Sequence, residues 1–306
     1  MKRKERRNRA IAWLVLMLSI CVMTIFGYQL GEVWQTYREG NESYNQLAHK
    51  VRPGGVPALH ARESAGAPLR AAGNGGGQAA GGARPDGFSA LHVRESAGSP
   101  LRAGIDIPDL PLDFAALQEI NPDAAAWLYC PDTVIDYPVM RAADYSYYLH
   151  HLPDGKYNAN GTLFIDYNWV DFSDKLTVIY GHNMKSGRMF GSLTNYKEQA
   201  YFEEHPFLYL YSAGGEKYRV DLMYGCVIGA GQWRERAFMF EENIDALMAY
   251  AAYNTTFVSE ARYARGDRVI ALSTCSYEFD NARYVVIGVL RPEYGDDRAE
   301  TYEAMR

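Results

Sequence analysis

From Ile105 onward the chain is built of short apolar runs dense in β-branched and aromatic residues, and these limit its fold more than any other feature. AWLYC, TVIDYPVM, GTLFID, LTVIYG, FLYLYS, EKYRVDLMYGCVIGA, RVIALSTC and ARYVVIGVL read as strands with turn residues between them. The 24 tyrosines and 12 phenylalanines of the chain favour the same state. LDFAALQEI reads as a short helix, because Phe114, Leu117 and Ile120 share one face. IDALMAYAAY near 244–253 reads as a longer one, and RMFGSLTNY and EQAYFEE as shorter pieces. Eight or more short strands with a few helices indicate one closed or nearly closed β-barrel decorated by helices. This domain is expected over 105–297, followed by a tail at 298–306.

The N-terminus obeys a different rule. Residues 1–9, MKRKERRNR, carry six basic side chains and one acidic. An uncharged apolar run follows, IAWLVLMLSICVMTIFG, from Ile11 to Gly27, and Tyr28 to Leu30 extend it. That length reaches the short end of what spans a bilayer. A basic flank before it keeps the first residues in the cytoplasm and sends the rest outside. GYQLGEVWQ offers no small-residue cleavage site, so the run is expected to stay as a single-pass anchor over 10–30 rather than be removed.

The net charge of −6 hides a division. The first nine residues carry a net +5, so the remainder carries −11. An acidic outer part argues against nucleic acid as the partner, since phosphate binding needs a basic surface.

Residues 31–104 are expected to connect anchor and barrel. Up to about residue 51 they are polar with some helical character, like a stalk. From Arg52 to Gly104 the text is rich in Gly, Ala, Pro and Arg and poor in large apolar residues, too poor to offset the entropy of ordering. It contains ALHARESAGAPLRA at 58–71 and ALHVRESAGSPLRA at 90–103. Two copies are too few for a solenoid. The expectation is a flexible tether that lengthens the reach of the barrel by on the order of 40 Å. A wall-binding element using Arg62, Arg70, Arg94 and Arg102 is the alternative.

Four cysteines are present: Cys21, Cys130, Cys226 and Cys275. Cys21 lies in the apolar run, which leaves an odd number outside. No C-x-x-C spacing exists, which disfavours a zinc knuckle and a thiol redox motif. Cys130 and Cys226 read as small buried residues, with a mutual disulfide as the alternative. Cys275 ends an apolar strand, and a free thiol outside the cytosol is a liability unless buried or used.

A cysteine nucleophile needs a basic partner. All seven histidines precede Cys275, so the Cys-first order of papain-like peptidases is impossible. His49, His60 and His92 fall in the stalk or tether, and His150, His151 and His205 in expected surface turns. His182 follows the strand LTVIY at a glycine, where a side chain can be held rigidly. A structural histidine at a strand end fits equally well. Arg283 opens the strand after Cys275, so a hairpin would bring both to one end of the sheet. Arginine cannot act as a base, but it can polarise a carbonyl or hold an oxyanion. A surface arginine on an edge is the bland reading.

TVIYGHNM and LSTCSYEFDNAR together resemble the signature of class B sortases, the membrane-anchored cysteine transpeptidases of Gram-positive bacteria. GTLFIDYNW, MFGSL and IDALMAYAAY fit the same pattern, and the resemblance covers about residues 108–292. It implies a sortase-type closed barrel of about eight strands, with an N-terminal helical extension and a helix before the Cys strand. It implies that Cys275 attacks the Thr carbonyl of a C-terminal sorting signal in a secreted protein. His182 would protonate the leaving amine, and Arg283 would hold the oxyanion. Thr274 and Ser276 are expected to contact substrate. The acyl-enzyme would pass to an amine of a peptidoglycan precursor or a pilin, with no metal or cofactor needed. A hydrolytic cysteine peptidase on the same fold and a non-catalytic wall-binding module are the alternatives; the complete His182, Cys275 and Arg283 set argues against the latter.

Overall fold

The computed structural model describes residues 2–52, 105, 107–166, 172–234 and 244–293. Both copies of the repeat and the 298–306 tail lie outside the described residues. The anchor and the stalk, read as two segments, form one helix, α1 (Lys2–Val51). It is the one described helix long and apolar enough to cross a membrane. From Trp13 to Trp34 its large apolar side chains are exposed.

Every strand expected from the sequence is present: β1 (Ala124–Tyr129), β2 (Asp136–Arg141), β3 (Leu163–Ile165), β4 (Leu176–Tyr180), β5 (Phe207–Ser212), β6 (Lys217–Gly229), β7 (Val269–Cys275) and β8 (Ala282–Pro292). They close into a barrel in the order β1-β2-β3-β4-β7-β8-β6-β5. The helices are α2 (Phe114–Ile120), α3 (Gln199–Glu204), α4 (Ala230–Arg234) and α5 (Ile244–Asn254), with a 3-10 helix at Gly191–Lys197. β2–β3 and β4–β7 pair in parallel, and the other pairs are antiparallel.

The strands are apolar almost throughout because many are covered on both faces. Leu128, Val139, Ile165, Ile179, Leu210, Val220, Leu272 and Val286 fill the interior. Outside, α5 lays Leu247, Met248 and Ala251, with Trp233 of α4, against Val178, Ala271, Val285 and Ile287. A second outer layer joins Leu117 of α2 to Trp127, Met140, Phe164 and Tyr211.

The end of α1 belongs to that second layer and to the interior. Tyr44, Leu47 and Val51 lie on one helical face and are buried against the barrel. The Tyr44 hydroxyl donates to the Gly161 carbonyl at 2.5 Å. Asn158 donates to the Thr36 carbonyl at 2.9 Å. At Gly40 the helix passes so close that a Cβ would lie 2.2 Å from Asn160 Nδ2. Arg52, fully buried, forks onto Asp136 at 2.7 and 2.6 Å and stacks over Trp127 at 4.9 Å, whose indole N–H donates to the same carboxylate at 2.6 Å.

The chain returns from residues 53–104 to the place it left. Asp113 N–H donates to the Val51 carbonyl at 2.8 Å, and Ile107 shares a cluster with Leu47 and Val51. The helix that carries the apolar run thus meets the barrel directly through its own C-terminal turns, and the expected tether lies outside the described residues. Contact with the barrel begins at Thr36, about 9 Å of helix rise beyond Leu30.

Two outcomes follow for the full chain in detergent. Replacing residues 53–104 with an approximately ten-residue Gly/Ser linker leaves the melting temperature within about 2 °C. Arg52→Met, which leaves the Asp136 charge buried without its cation, costs roughly 3–5 kcal/mol by chemical denaturation.

Candidate active site

β4 and β7 run parallel with Tyr180 beside Ser273, so both strands end at the same rim of the barrel. His182 leaves that rim from one strand and Cys275 from the other. β8 returns antiparallel to β7, and Cys275 is paired directly with Arg283. Residues opposed in this way project to the same face. Val269 and Ala271 face the outer layer under α5, and the alternation continues that face through Ser273 to Cys275. A cleft there is lined by Tyr145, Leu149, Tyr180, His182, Trp233, Ser273, Cys275 and Arg283, among others. The three residues expected to do chemistry share it, and each is partly exposed.

Hydrogen bonds tie the His segment to the Cys strand on both sides of the imidazole. Gly181 N–H donates to the Ser273 carbonyl at 3.2 Å, and the Thr274 hydroxyl donates to the Gly181 carbonyl at 2.8 Å. Asn183 Nδ2 donates to the Cys275 carbonyl at 2.8 Å. Glycine is needed before His182 because a Cβ would lie 2.4 Å from Leu163 Cδ2 and 2.7 Å from Phe190 Cδ2.

His182 Nε2 is 2.7 Å from the Leu149 carbonyl. A carbonyl only accepts, so Nε2 carries the hydrogen and Nδ1 of the neutral ring keeps its lone pair. Burial lowers the His182 pKa, the Leu149 bond opposes this, and nearby His150 adds to the lowering. The ring is neutral at pH 7 and able to take a proton.

The hydroxyls of Thr274 and Ser276 are engaged within the protein. Thr274 is bound to Gly181, and Ser276 accepts from Lys197 at 3.1 Å and donates to Glu278. Sequence reading missed Leu149 and Asn183, and also the wall formed by Tyr145 and Tyr180. Both tyrosine hydroxyls donate to buried Asp166, at 2.8 and 3.1 Å. It missed Trp233 too, whose indole nitrogen is buried without a partner among the described residues, as is Ser273 Oγ. Asn183 and Tyr180 flank Gly-His in the chain and could have been flagged. Leu149 and Trp233 come from distant segments and carried no local signal.

The remaining cysteines lie apart. Cys130 is in the interior cluster and Cys226 in the outer one, both unbridged. Burial pushes their thiols up, to about 11 and about 12. Among the described residues no group of three or more His, Cys, Asp or Glu could hold a metal.

The imidazole gives a direct check. In NMR titration, His182 loses its proton at a pH below the ordinary 6.5 or so of a free histidine. Because the unfolded chain binds this proton more tightly, the group lowers stability as pH falls through that range and is silent above it. A midpoint at or above the free value contradicts the burial of the ring.

The fold has known counterparts. No family model matches the chain. Sortase B of Listeria monocytogenes is 34% identical over 179 residues, covering 57% of this chain and 72% of that protein. The crystal structure of Clostridium perfringens sortase B matches with a TM-score of 0.54 and 27% identity over 58% of this chain and all of that one. A Streptococcus pyogenes class B sortase involved in pilus biogenesis matches with a TM-score of 0.53 and 26% identity, over 58% and 97%. The identity and coverage of the Listeria protein show that this chain belongs to the sortase B family and is a cysteine transpeptidase.

Proposed function

We propose that the chain is an extracytoplasmic, single-pass membrane enzyme with its N-terminus in the cytoplasm, which cleaves a C-terminal sorting signal after Thr and passes the protein to an amine. The observation that carries this reading is the pairing of Cys275 with Arg283 in one cleft with His182, whose Nε2 is capped by Leu149.

The cap dictates the direction of proton flow. His182 Nδ1 takes the Cys275 proton, giving a thiolate and an imidazolium. The thiolate attacks the Thr carbonyl, and the oxygen becomes an anion. Arg283, held on the same face by the strand pairing, is the donor for that oxygen. Collapse expels the downstream amine, which takes the proton from His182, and leaves a thioester on Cys275. The acceptor amine then attacks the thioester, gives its proton to His182 and releases the thiolate.

The walls suit a peptide. Ser273 Oγ and Trp233 Nε1 are buried polar groups without partners among the described residues, and a bound main chain supplies partners for both. Tyr145, Phe164 and Tyr180 give apolar contact beside them. Substrate contact through Thr274 and Ser276 is reached through their backbone, since both hydroxyls are taken. The short rise from Leu30 to the first barrel contact keeps the cleft near the membrane, where lipid-linked peptidoglycan precursors lie. A pilin amine is the other acceptor, and the S. pyogenes relative's role in pilus biogenesis motivates testing it.

The test uses quenched peptides of the NP-x-T-N, NP-x-T-G and SP-x-T-G types, with and without an added amine. Cleavage after Thr is expected, with amine adducts, and a loss of at least about 10³-fold in Cys275→Ala and His182→Ala. Arg283→Ala is expected to lose about 10²–10³-fold, mainly in kcat. Cleavage without adducts at high amine makes the enzyme a hydrolase, and cleavage that survives Cys275→Ala removes the mechanism.

A further inference from the structure

The 3-10 helix Gly191–Lys197 ends on a cation that touches both arms of the catalytic hairpin. Lys197 Nζ donates to Ser276 Oγ at 3.1 Å and to the Glu278 carboxylate, while Ser276 donates to the other oxygen of Glu278. The same ammonium stands over the Tyr284 ring, 5.2 Å from its centroid. Ser276 follows Cys275 in the chain, and Tyr284 follows Arg283. Lys197 therefore grips the residue after the thiol on one strand and the residue after the guanidinium on the other. Its own helix is fastened to the third member: Phe190 N–H donates to the His182 carbonyl at 3.0 Å, and Asn183 bridges to Met189.

The loop it grips has few other side-chain ties. Tyr277 and Phe279 are exposed, and Asn281 sits in left-handed backbone at φ 62°. Among the described residues, the side-chain hydrogen bonds of Ser276 and Glu278 run to each other and to Lys197. Tyr284 is fixed at its far end by a 2.6 Å bond between its hydroxyl and Thr256, which in turn donates to the Tyr196 carbonyl at 3.1 Å, next to Lys197. The clamp closes on itself.

An exposed ion pair adds little to stability, usually 0–1 kcal/mol. Lys197 and Glu278 are 30% and 37% exposed, so global stability is a poor reason for this arrangement. Position is a better one, because a misplacement near 1 Å at a reacting group can cost about 10²-fold in rate.

We propose that Lys197 is a positioning residue for the transpeptidase reaction. Through Ser276–Glu278 and Tyr284 it sets the opening of the β7–β8 hairpin, and so the placement of the Cys275 thiol against His182 and Arg283. This rests on the catalytic reading given above. Burial raises the Glu278 pKa, but the bonds from Lys197 and Ser276 outweigh it and hold the carboxyl below its usual range. The clamp thus stays closed at neutral pH and opens as acid protonates Glu278.

The experiment compares wild type, Lys197→Met, Lys197→Arg and Glu278→Gln in the full chain. It reads peptide cleavage, the pH profile of Cys275 alkylation by iodoacetamide, followed by mass spectrometry at that peptide, and the melting temperature. Lys197→Met is expected to lower kcat about tenfold with KM within about twofold, and to shift the alkylation profile, while melting moves by less than about 2 °C. Lys197→Arg restores most of the rate, and Glu278→Gln reproduces part of the loss. Wild-type kcat and an unmoved alkylation profile in Lys197→Met overturn the proposal. So does a loss that tracks a fall in melting temperature and is not rescued by arginine. If wild type cleaves no peptide, the catalytic reading fails, and the alkylation profiles still decide whether Lys197 sets the thiol's environment.

Discussion

The register between β7 and β8 is the constraint from which the site follows. Side chains alternate along a strand, so a slip of one residue would turn Cys275 into the barrel and Thr274 out of it. Apolar content alone does not prevent this, because both faces of these strands are buried and both accept Val, Ile or Leu. The register is fixed by the residues that fit one place only. Gly288 opposes Ile270 where β6 crosses, and a Cβ there would lie 2.6 Å from Val220 Cγ1 and 3.0 Å from the Asp221 carbonyl. At the other end, Thr274 lies inside because its hydroxyl reaches the Gly181 carbonyl at 2.8 Å. One glycine and one threonine thus settle which face carries the thiol, and Cys275 meets Arg283 as a consequence.

Much of this was legible. The eight strands are dense in β-branched and aromatic residues, with turn residues at each end, and each appears where the sequence put it. Two-sided burial explains why the runs were continuous rather than alternating, and why periodicity could not say which residues faced inward. The docking of α1 was harder to see. Tyr44, Leu47 and Val51 do recur at helical spacing, but they sit among Arg, Glu, Asn and Lys that face solvent. Arg52, at the edge of a Gly-rich text, gave no hint of being buried. Its partners Asp136 and Trp127 come from two strands far along the chain, and such an ion pair cannot be read from either neighbourhood.

The site divides in the same way. His182, Cys275 and Arg283 were visible because each lies at a strand end, and strand ends gather at one rim once the barrel closes. Their supports were not. Leu149 offers only a carbonyl, which no side-chain pattern marks. Thr274 and Ser276 drew attention as polar neighbours of the nucleophile, yet one faces the barrel interior and the other is bound to Lys197 and Glu278. Adjacency in sequence brings a residue near the chemistry, and alternation decides whether its side chain arrives.

The anchoring of α1 bears on the duplicated segment as well. A buried ion pair contributes little net stability, but it is directional. Arg52 must meet Asp136 with both nitrogens and lie over Trp127 at once, which holds the end of the helix to the barrel at one angle. The position of the cleft relative to the apolar run is then a property of the helix. Val51 before residues 53–104 and Ile107 after them belong to the same cluster, so the length of the sequence between does not enter that geometry. Lengthening a loop whose ends are already pinned costs only about 0.6 kcal/mol per doubling. The fourteen-residue duplication, its copies offset by 32 residues, falls in sequence between two stretches that are already pinned to the barrel, and that is the physical reason the chain can carry one.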